Sequence, residues 1–290
     1  MTDNIKWFNE IIIDFLKSYN IFSENKYVYH YTNLSSLMNI LESNELWLSE
    51  RSCMNDKNEE NFVKKFCKTL TTNSNNNPWK FIETTHQYLF STSKEKDSIH
   101  QWSYYGSGDG VCIEFEREKL INLFGELFHW AGYYYGSVIY TKEWKYNSIG
   151  KTIIIDIYNK YKDILNNESE QKFQYEIVSE YLYTLIKQYG HHCEEEYRFV
   201  ITEDSINFKI NELKSENNDI LIKSLTPSFR PMKSLIVPYI RIPFNPKNLI
   251  SSIMIGPNNH EDIAVKNLKF YLHAKELDSI TVTKSLMNIR

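Results

Sequence analysis

YLFSTSKEKDSIHQWSYYGSGDGVCIEFE, running from Tyr88 to Glu116, decides the fold. Its ends, YLFSTS (Tyr88 to Ser93) and GVCIEFE (Gly110 to Glu116), are short and alternate or run apolar, the pattern of buried or half-buried strands. Between them HQWSYY reads as an aromatic turn and GSGDG as a flexible loop leading into the second strand. Toward the N-terminus, KYVYHY (Lys26 to Tyr31) is a strand of β-branched and aromatic residues. Thr32 and Asn33 then cap a helix with Leu34, Leu37, Ile40 and Leu41 on one face. ELWLS follows as a strand, then a helix from about Asn58 to Leu70 and a polar, turn-rich TTNSNNNP.

Toward the C-terminus come a helix around Arg117–Trp130, the strand YYYGSVIY, and helical patterns over Thr152–Leu165 and Phe173–Tyr189. EYRFVI, LIVPYI and LISSIMIG are strands, the second weakened by Pro238. A late amphipathic helix, HEDIAVKNLKFYLHAKEL, and a closing strand, SITVTKS, complete the chain. Strands and helices interleave without βαβ alternation or a repeat, so the pattern predicts an α+β fold rather than a doubly wound sheet. No composition shift marks a boundary. The expectation is one α+β domain over residues 1–290, with an amphipathic helix at 1–20 and a helical insertion around 150–190.

Composition narrows the classes of function. Of 290 residues, 42% are hydrophobic and 15% aromatic, enough for a packed core. Lys and Arg number 33 against 37 Asp and Glu, a net charge of −4 that lacks the basic excess of a phosphate-gripping protein. Cys53, Cys67, Cys112 and Cys193 form no CxxC pair, pointing to reduced thiols rather than a zinc site or a disulfide framework. The opening MTDNIKWFNEIIIDFLKSY has helical apolar spacing (Ile5, Phe8, Ile12, Phe15, Tyr19) and no basic start, unlike a signal peptide. No apolar run approaches the ~20 residues of a membrane span. The expected location is the cytoplasm, with no membrane contact.

Some motifs carry no chemistry. Gly150-Lys151-Thr152 ends like a phosphate loop, but Lys145 stands where that loop needs its first glycine. His191-His192-Cys193 has no second ligand pair nearby, so no metal is expected. Three segments remain. His30 lies near the end of an apolar strand with Thr32 just after it. Phe90-Ser91-Thr92-Ser93 and Trp102-Ser103-Tyr104-Tyr105 set aromatics beside hydroxyls, as a floor for a flat heterocycle would. Glu194-Glu195-Glu196-Tyr197-Arg198 leads into the strand FVI, where alternation sends Glu194 and Glu196 to one face. For each, ordinary packing or a solvated charge run is the competing interpretation.

These segments together resemble the bacterial family known as domain of unknown function 2971. The matching pieces are YHYT, a helix and ELWLS; Asn55-Asp56 with Glu59 or Glu60; FSTS; Trp102-x-x-Tyr105; and GVCIEFE. Glu194-x-Glu196-Tyr197-Arg198, IMIGP and a Ser-containing tail at Thr283-Lys284-Ser285 follow. The tail lacks the Pro-Tyr expected before Arg290. The family is grouped with abortive phage infection proteins, which implies a setting in bacterial anti-phage defence, with a phage or defence-system protein as a possible partner.

The order His, Tyr, Glu at strand ends also resembles the ADP-ribosyltransferase superfamily, in which such residues surround NAD. That resemblance implies mixed or antiparallel sheets with surrounding helices, NAD as substrate, and an acceptor that the sequence does not identify. His30 and Thr32 match the first element, with Tyr31 standing where many members have glycine. Ser91 or Ser93 and Tyr105 match the second, across a long gap and with Trp102 beside the proposed nicotinamide floor, and Glu196 with Glu194 matches the third. Glu196 would stabilise oxocarbenium charge, Glu194 would orient or deprotonate the acceptor, and His30 would hold the adenosine ribose. Arg198 is a diphosphate clamp or a structural partner of a carboxylate. Asn55, Asp56 and Ser285 are secondary candidates. Two alternatives stand beside this: a metal-dependent nuclease or phosphohydrolase on Asp56, Glu59, Glu194 and Glu196, and a non-catalytic sensor of a nucleotide or phage protein.

Overall fold

The structure is a computed structural model that describes residues 25–53, 62, 86–105, 108–128, 133–142, 149–161, 183–232, 234–258 and 260–287. The expected N-terminal helix at 1–20, the helix near 58–70 apart from Phe62, the turn-rich TTNSNNNP, Asn55, Asp56, Glu59 and Arg290 lie outside those residues. The fold is α+β, with one large mixed sheet of mostly antiparallel strands and several helices.

The sheet is organised around β3 (Gln87–Ser93). Along one edge β3 pairs over its whole length with β8 (Glu196–Thr202), which in turn pairs with β5 (Tyr133–Ser137). Along the other edge it meets two strands. β2 (Glu45–Glu50) pairs only at Ser49↔Leu89 and Glu50↔Tyr88, and β1 (Tyr27–Asn33) pairs only at Tyr29↔Ser93. Each strand then splays away into its own arm. One arm continues from β1 through β4 (Gly110–Glu116) and β11 (Ile250–Ile255) to β12 (Thr281–Lys284). The other continues from β2 through β10 (Leu235–Pro243) to β9 (Ser228–Met232). Among the described strands of this sheet, only β11 and β12 run parallel. Ser91, between the two pairings, lies at the fork.

Period-two alternation gives the sheet two different faces. Val28, Phe90, Ile113, Phe115, Phe199 and Ile201 share one, and its core is closed by helices. Those helices are α1 (Leu34–Ser43), α3 (Arg117–Phe128), α5 (Glu203–Ser215) and α7 (Glu261–Ala274), which bury Leu37, Phe124, Ile206 and Leu268. Phe124 stacks on Phe199 at 5.1 Å between ring centres. The Asn33 side chain accepts from Ser36 N at 2.8 Å, satisfying one of the exposed amides at the start of α1.

The opposite face carries Tyr29, Ser91, Ser93, Glu114, Glu196 and Arg198. It is covered by α2 (Ile99–Tyr105) and by residues 184–194, whose Thr184 and Lys187 reach Arg198 and Glu196. The described residues between β5 and β8 include the two-stranded sheet of β6 (Ile139–Thr141) and β7 (Ile186–Gln188), α4 (Ile149–Tyr161), which packs on β6, and the 3-10 turn Tyr189–Glu194.

Three expectations are corrected. HQWSYY is not a turn but belongs to α2, because Trp102 packs inward against Tyr31, Cys112 and Met254 and fixes the helical repeat. Gly256 makes room for it, since a Cβ there would lie 2.8 Å from the Trp102 ring. The helical pattern read to Tyr189 ends instead in strand β7 and the 3-10 turn. The third is an omission: α5 and α6 (Asp219–Leu225) fill a stretch with no sequence assignment, although Thr202 and Asn218 cap them.

Candidate functional site

The chemistry on the polar face gathers where β8 begins. Glu196 and Arg198, two residues apart on one strand, point the same way, and their register partners on β3 are Ser93 and Ser91. Arg198 donates from Nε to one oxygen of Glu196 at 2.8 Å and from Nη2 to the other at 2.9 Å. This is the planar two-point pairing that a guanidinium suits. Its Nη1 donates to the Thr184 carbonyl at 2.7 Å. Lys187, on β7, reaches Glu196 at 3.3 Å and Glu194 at 2.7 Å, and His191 lies 3.1 Å from Glu194.

Glu196, Arg198 and Lys187 are 6%, 2% and 6% exposed, so the pairing lies in the protein interior. Burial works to raise the Glu196 pKa, but the Arg198 and Lys187 charges, with hydrogen bonds from Arg198 and Ser91, outweigh it. Glu196 is therefore held well below the usual carboxylate range and stays ionised. Ser91 Oγ lies beside that carboxylate and has no hydrogen-bond partner of ordinary geometry among the described residues.

Glu194 and Glu196 are brought together, though not by strand alternation. Glu194 ends the 3-10 turn, Glu195 takes a left-handed φ of 44°, and β8 starts only at Glu196. Lys187 holds the two carboxylates to each other. The Glu194 carbonyl is fixed in addition by Ser93 Oγ and Gln101 Nε2, each donating at 2.8 Å. The Glu196 amide donates to the Tyr140 hydroxyl oxygen at 2.8 Å.

His30 occupies the fork from the other face. Its ring packs on Phe90 at 4.7 Å, and Nδ1 donates to the Ser91 carbonyl at 3.0 Å. That bond fixes the tautomer and leaves Nε2 as the acceptor nitrogen. Burial outweighs the Ser91 bond and lowers the His30 pKa, so the ring is neutral. His30 and Glu196 thus approach β3 from opposite faces and do not line one concavity. Thr32 follows His30 on that side at the strand end.

Tyr31 donates to the Glu95 carbonyl at 2.9 Å and accepts from Ser98 N at 2.9 Å. Trp102 is 1% exposed, so it is a packing residue rather than an open floor, whereas Tyr105 at the end of α2 is 43% exposed. Ser285 donates to Asp97, which also accepts from Trp102 Nε1 at 2.7 Å. His192 stacks on Tyr189 at 4.6 Å. Among the described residues no group of three His, Cys, Asp or Glu is placed to hold a metal ion.

Lys187 is the residue that sequence reasoning missed. It sits in a stretch with helical periodicity, and nothing local distinguishes it from a solvated lysine.

The fold and site define an α+β protein whose forked sheet carries a buried, ionised carboxylate–guanidinium–ammonium cluster at its stem. The sequence model of a family described as Protein of unknown function (DUF2971) matches residues 101–199, so the resemblance to that family is shown over this span. The span contains Trp102, Tyr105, GVCIEFE and the Glu194–Arg198 segment; YHYT and the C-terminal motifs lie outside it. Neither curated proteins nor solved structures give a match to the chain. Among the described residues no helix is long and apolar enough to cross a membrane.

Proposed function

We propose that the protein is an NAD-consuming ADP-ribosyltransferase or NAD glycohydrolase acting at the Glu194–Glu196 cluster, and an effector of anti-phage defence. One observation carries this reading. Glu196 is kept ionised in the protein interior beside a serine hydroxyl with no hydrogen-bond partner of ordinary geometry among the described residues, and a second carboxylate is tied to it through Lys187. Breaking the nicotinamide–ribose bond releases neutral nicotinamide and leaves oxocarbenium charge on the sugar. A carboxylate already desolvated and ionised stabilises that charge without reorganising. Glu194, the more exposed of the pair, would take the proton of the attacking water or acceptor hydroxyl.

The cationic neighbours weigh against the metal-dependent reading, because Lys187 and Arg198 already supply the positive charge that a divalent ion would bring to these carboxylates. The sensor reading draws on a different observation: Arg198 engages both oxygens of Glu196, the arrangement of a structural pair.

Nicotinamide release with cell lysate as acceptor source, measured beside thermal melts, separates the readings. Glu196→Gln is expected to lower turnover about 100-fold, the effect of removing a charge worth ~3 kcal/mol in the transition state, and to leave NAD affinity in place. Glu194→Gln is expected to lose transfer to acceptors and retain slow NAD hydrolysis. A Glu196→Gln protein that melts earlier but turns over normally would make the cluster structural. Wild-type protein that binds NAD without releasing nicotinamide would favour the sensor.

A further inference from the structure

We infer that Trp47, Tyr239 and Arg230 form a stacking subsite for the base of an adenine nucleotide, on the β2–β10 arm of the fork. The inference rests on the nucleotide reading of the stem cluster and adds where the base binds. The register places these side chains on the same sheet face as Ser91 and Glu196: Ser49 pairs with Leu89 and with Tyr239, and Trp47 pairs with Arg241. Trp47 lies two residues along β2 from the Ser49–Leu89 pairing, where β2 leaves β3 and the fork opens.

The aromatic pair is ordered for stacking. Trp47 and Tyr239 lie 4.4 Å apart with a 25° interplanar angle. The Arg230 guanidinium sits 5.8 Å from the Trp47 ring centre and 5.9 Å from that of Tyr239. Its Nη2 donates to Ser49 Oγ at 2.8 Å, while Nε has no hydrogen-bond partner among the described residues. An unmet donor out of bulk water is unfavourable unless something supplies an acceptor, and a nucleotide phosphate is an acceptor of matching charge. A flat heterocycle on Trp47, with its phosphate toward Arg230, uses both features. Two other aromatics near this face are closed: Trp102 is turned inward from α2, and Tyr31 is held by two backbone groups.

Calorimetric titration with AMP, adenosine and ADP-ribose tests this on wild-type protein and on Trp47→Leu, Trp47→Phe and Arg230→Met, each checked by melting. Trp47→Leu should weaken AMP and ADP-ribose about tenfold, within the range of one base–aromatic stack. Trp47→Phe should restore most of that loss. Arg230→Met should weaken AMP and leave adenosine nearly unchanged. If wild type binds ADP-ribose and Trp47→Leu binds it equally well, the subsite is overturned while the nucleotide reading stands. Equal AMP binding by Arg230→Met overturns the role of Arg230. If wild type binds none of the three, both readings fall. Should Trp47→Leu not fold, the decision passes to Arg230→Met and to quenching of wild-type fluorescence by AMP that is absent in Trp47→Phe.

Discussion

Glu196 and His30 respond to acid through opposite charge states but with the same sign. Glu196 has a folded pKa depressed below its ordinary value of 4.5, so its stabilisation is complete above that value. It is lost as pH falls from 4.5 toward the folded pKa, because the unfolded chain takes up the proton first. His30 has a folded pKa below 6.5, so the unfolded state again binds the proton first, and stability declines as pH drops below 6.5. The two windows are separable. Urea midpoints for His30→Asn are expected to lose part of the slope between pH 6.5 and 5 and keep the slope below 4.5. An unchanged upper slope would mean that the ring titrates normally. The ion pair itself is tested by removing one partner at a time. Arg198→Met should destabilise by ~3–5 kcal/mol, since it leaves a buried carboxylate underpaired, while Glu196→Met/Arg198→Met should recover much of that loss. Arg198 is also where sequence reading came nearest to the structure. One of its two expected roles was the structural partner of a carboxylate, and that carboxylate is Glu196.

Among the elements, α2 couples the sheet to the cluster. Asp97 precedes the helix with a left-handed φ of 60°, a conformation that Asp and Asn tolerate better than most residues. Its carboxylate accepts from Trp102 Nε1 at 2.7 Å, from Leu286 N at 2.8 Å and from the Ser285 hydroxyl. One side chain thus ties α2 to the segment after β12, and Gln101 passes the constraint on to the Glu194 carbonyl. Asp97→Ala is expected to cost about 2–3 kcal/mol, as charged hydrogen bonds are lost and buried donors are stranded. Ser285→Ala should cost about 1 kcal/mol, and the double variant no more than Asp97→Ala, because the two share one interaction. Additive urea midpoints would refute the coupling. The sequence showed Trp102 and Ser285 as residues of interest, but it could not show the link. Asp97 and Ser285 are 188 positions apart, and nothing in local propensity encodes a contact of that range. The strands were legible for the converse reason. Their alternation is a local property, and it survives in β1, β2, β3, β4, β8, β10, β11 and β12.

At the scale of the molecule, one geometric fact organises the rest: two strands compete for the same edge of β3 and neither takes all of it. Sheet twist and the different partners of β1 and β2 draw the arms apart, so Ser91 offers its carbonyl to His30 instead of to a strand. The irregular interleaving of strand and helix patterns predicted the α+β class, but a fork is a matter of register between strands far apart in sequence, and register is set by tertiary contacts. For the same reason Trp47 read as one more apolar residue of a short strand. If a nucleotide binds on the polar face between the arms, it bridges elements that the fold leaves unpaired, and both arms should tighten together. A ligand specific to the folded state raises stability by ~2.7 kcal/mol at a hundredfold excess over Kd. ADP-ribose at that excess should therefore raise the melting temperature. It should also slow amide exchange in Tyr29–Thr32 of one arm and in Leu46–Ser49 of the other, to similar degrees. Protection confined to the β2–β10 arm would place the ligand on the aromatic pair alone, outside the fork. Protection confined to Glu196–Arg198 would mean that the cluster binds it without the arms. Only joint protection makes the fork the binding element.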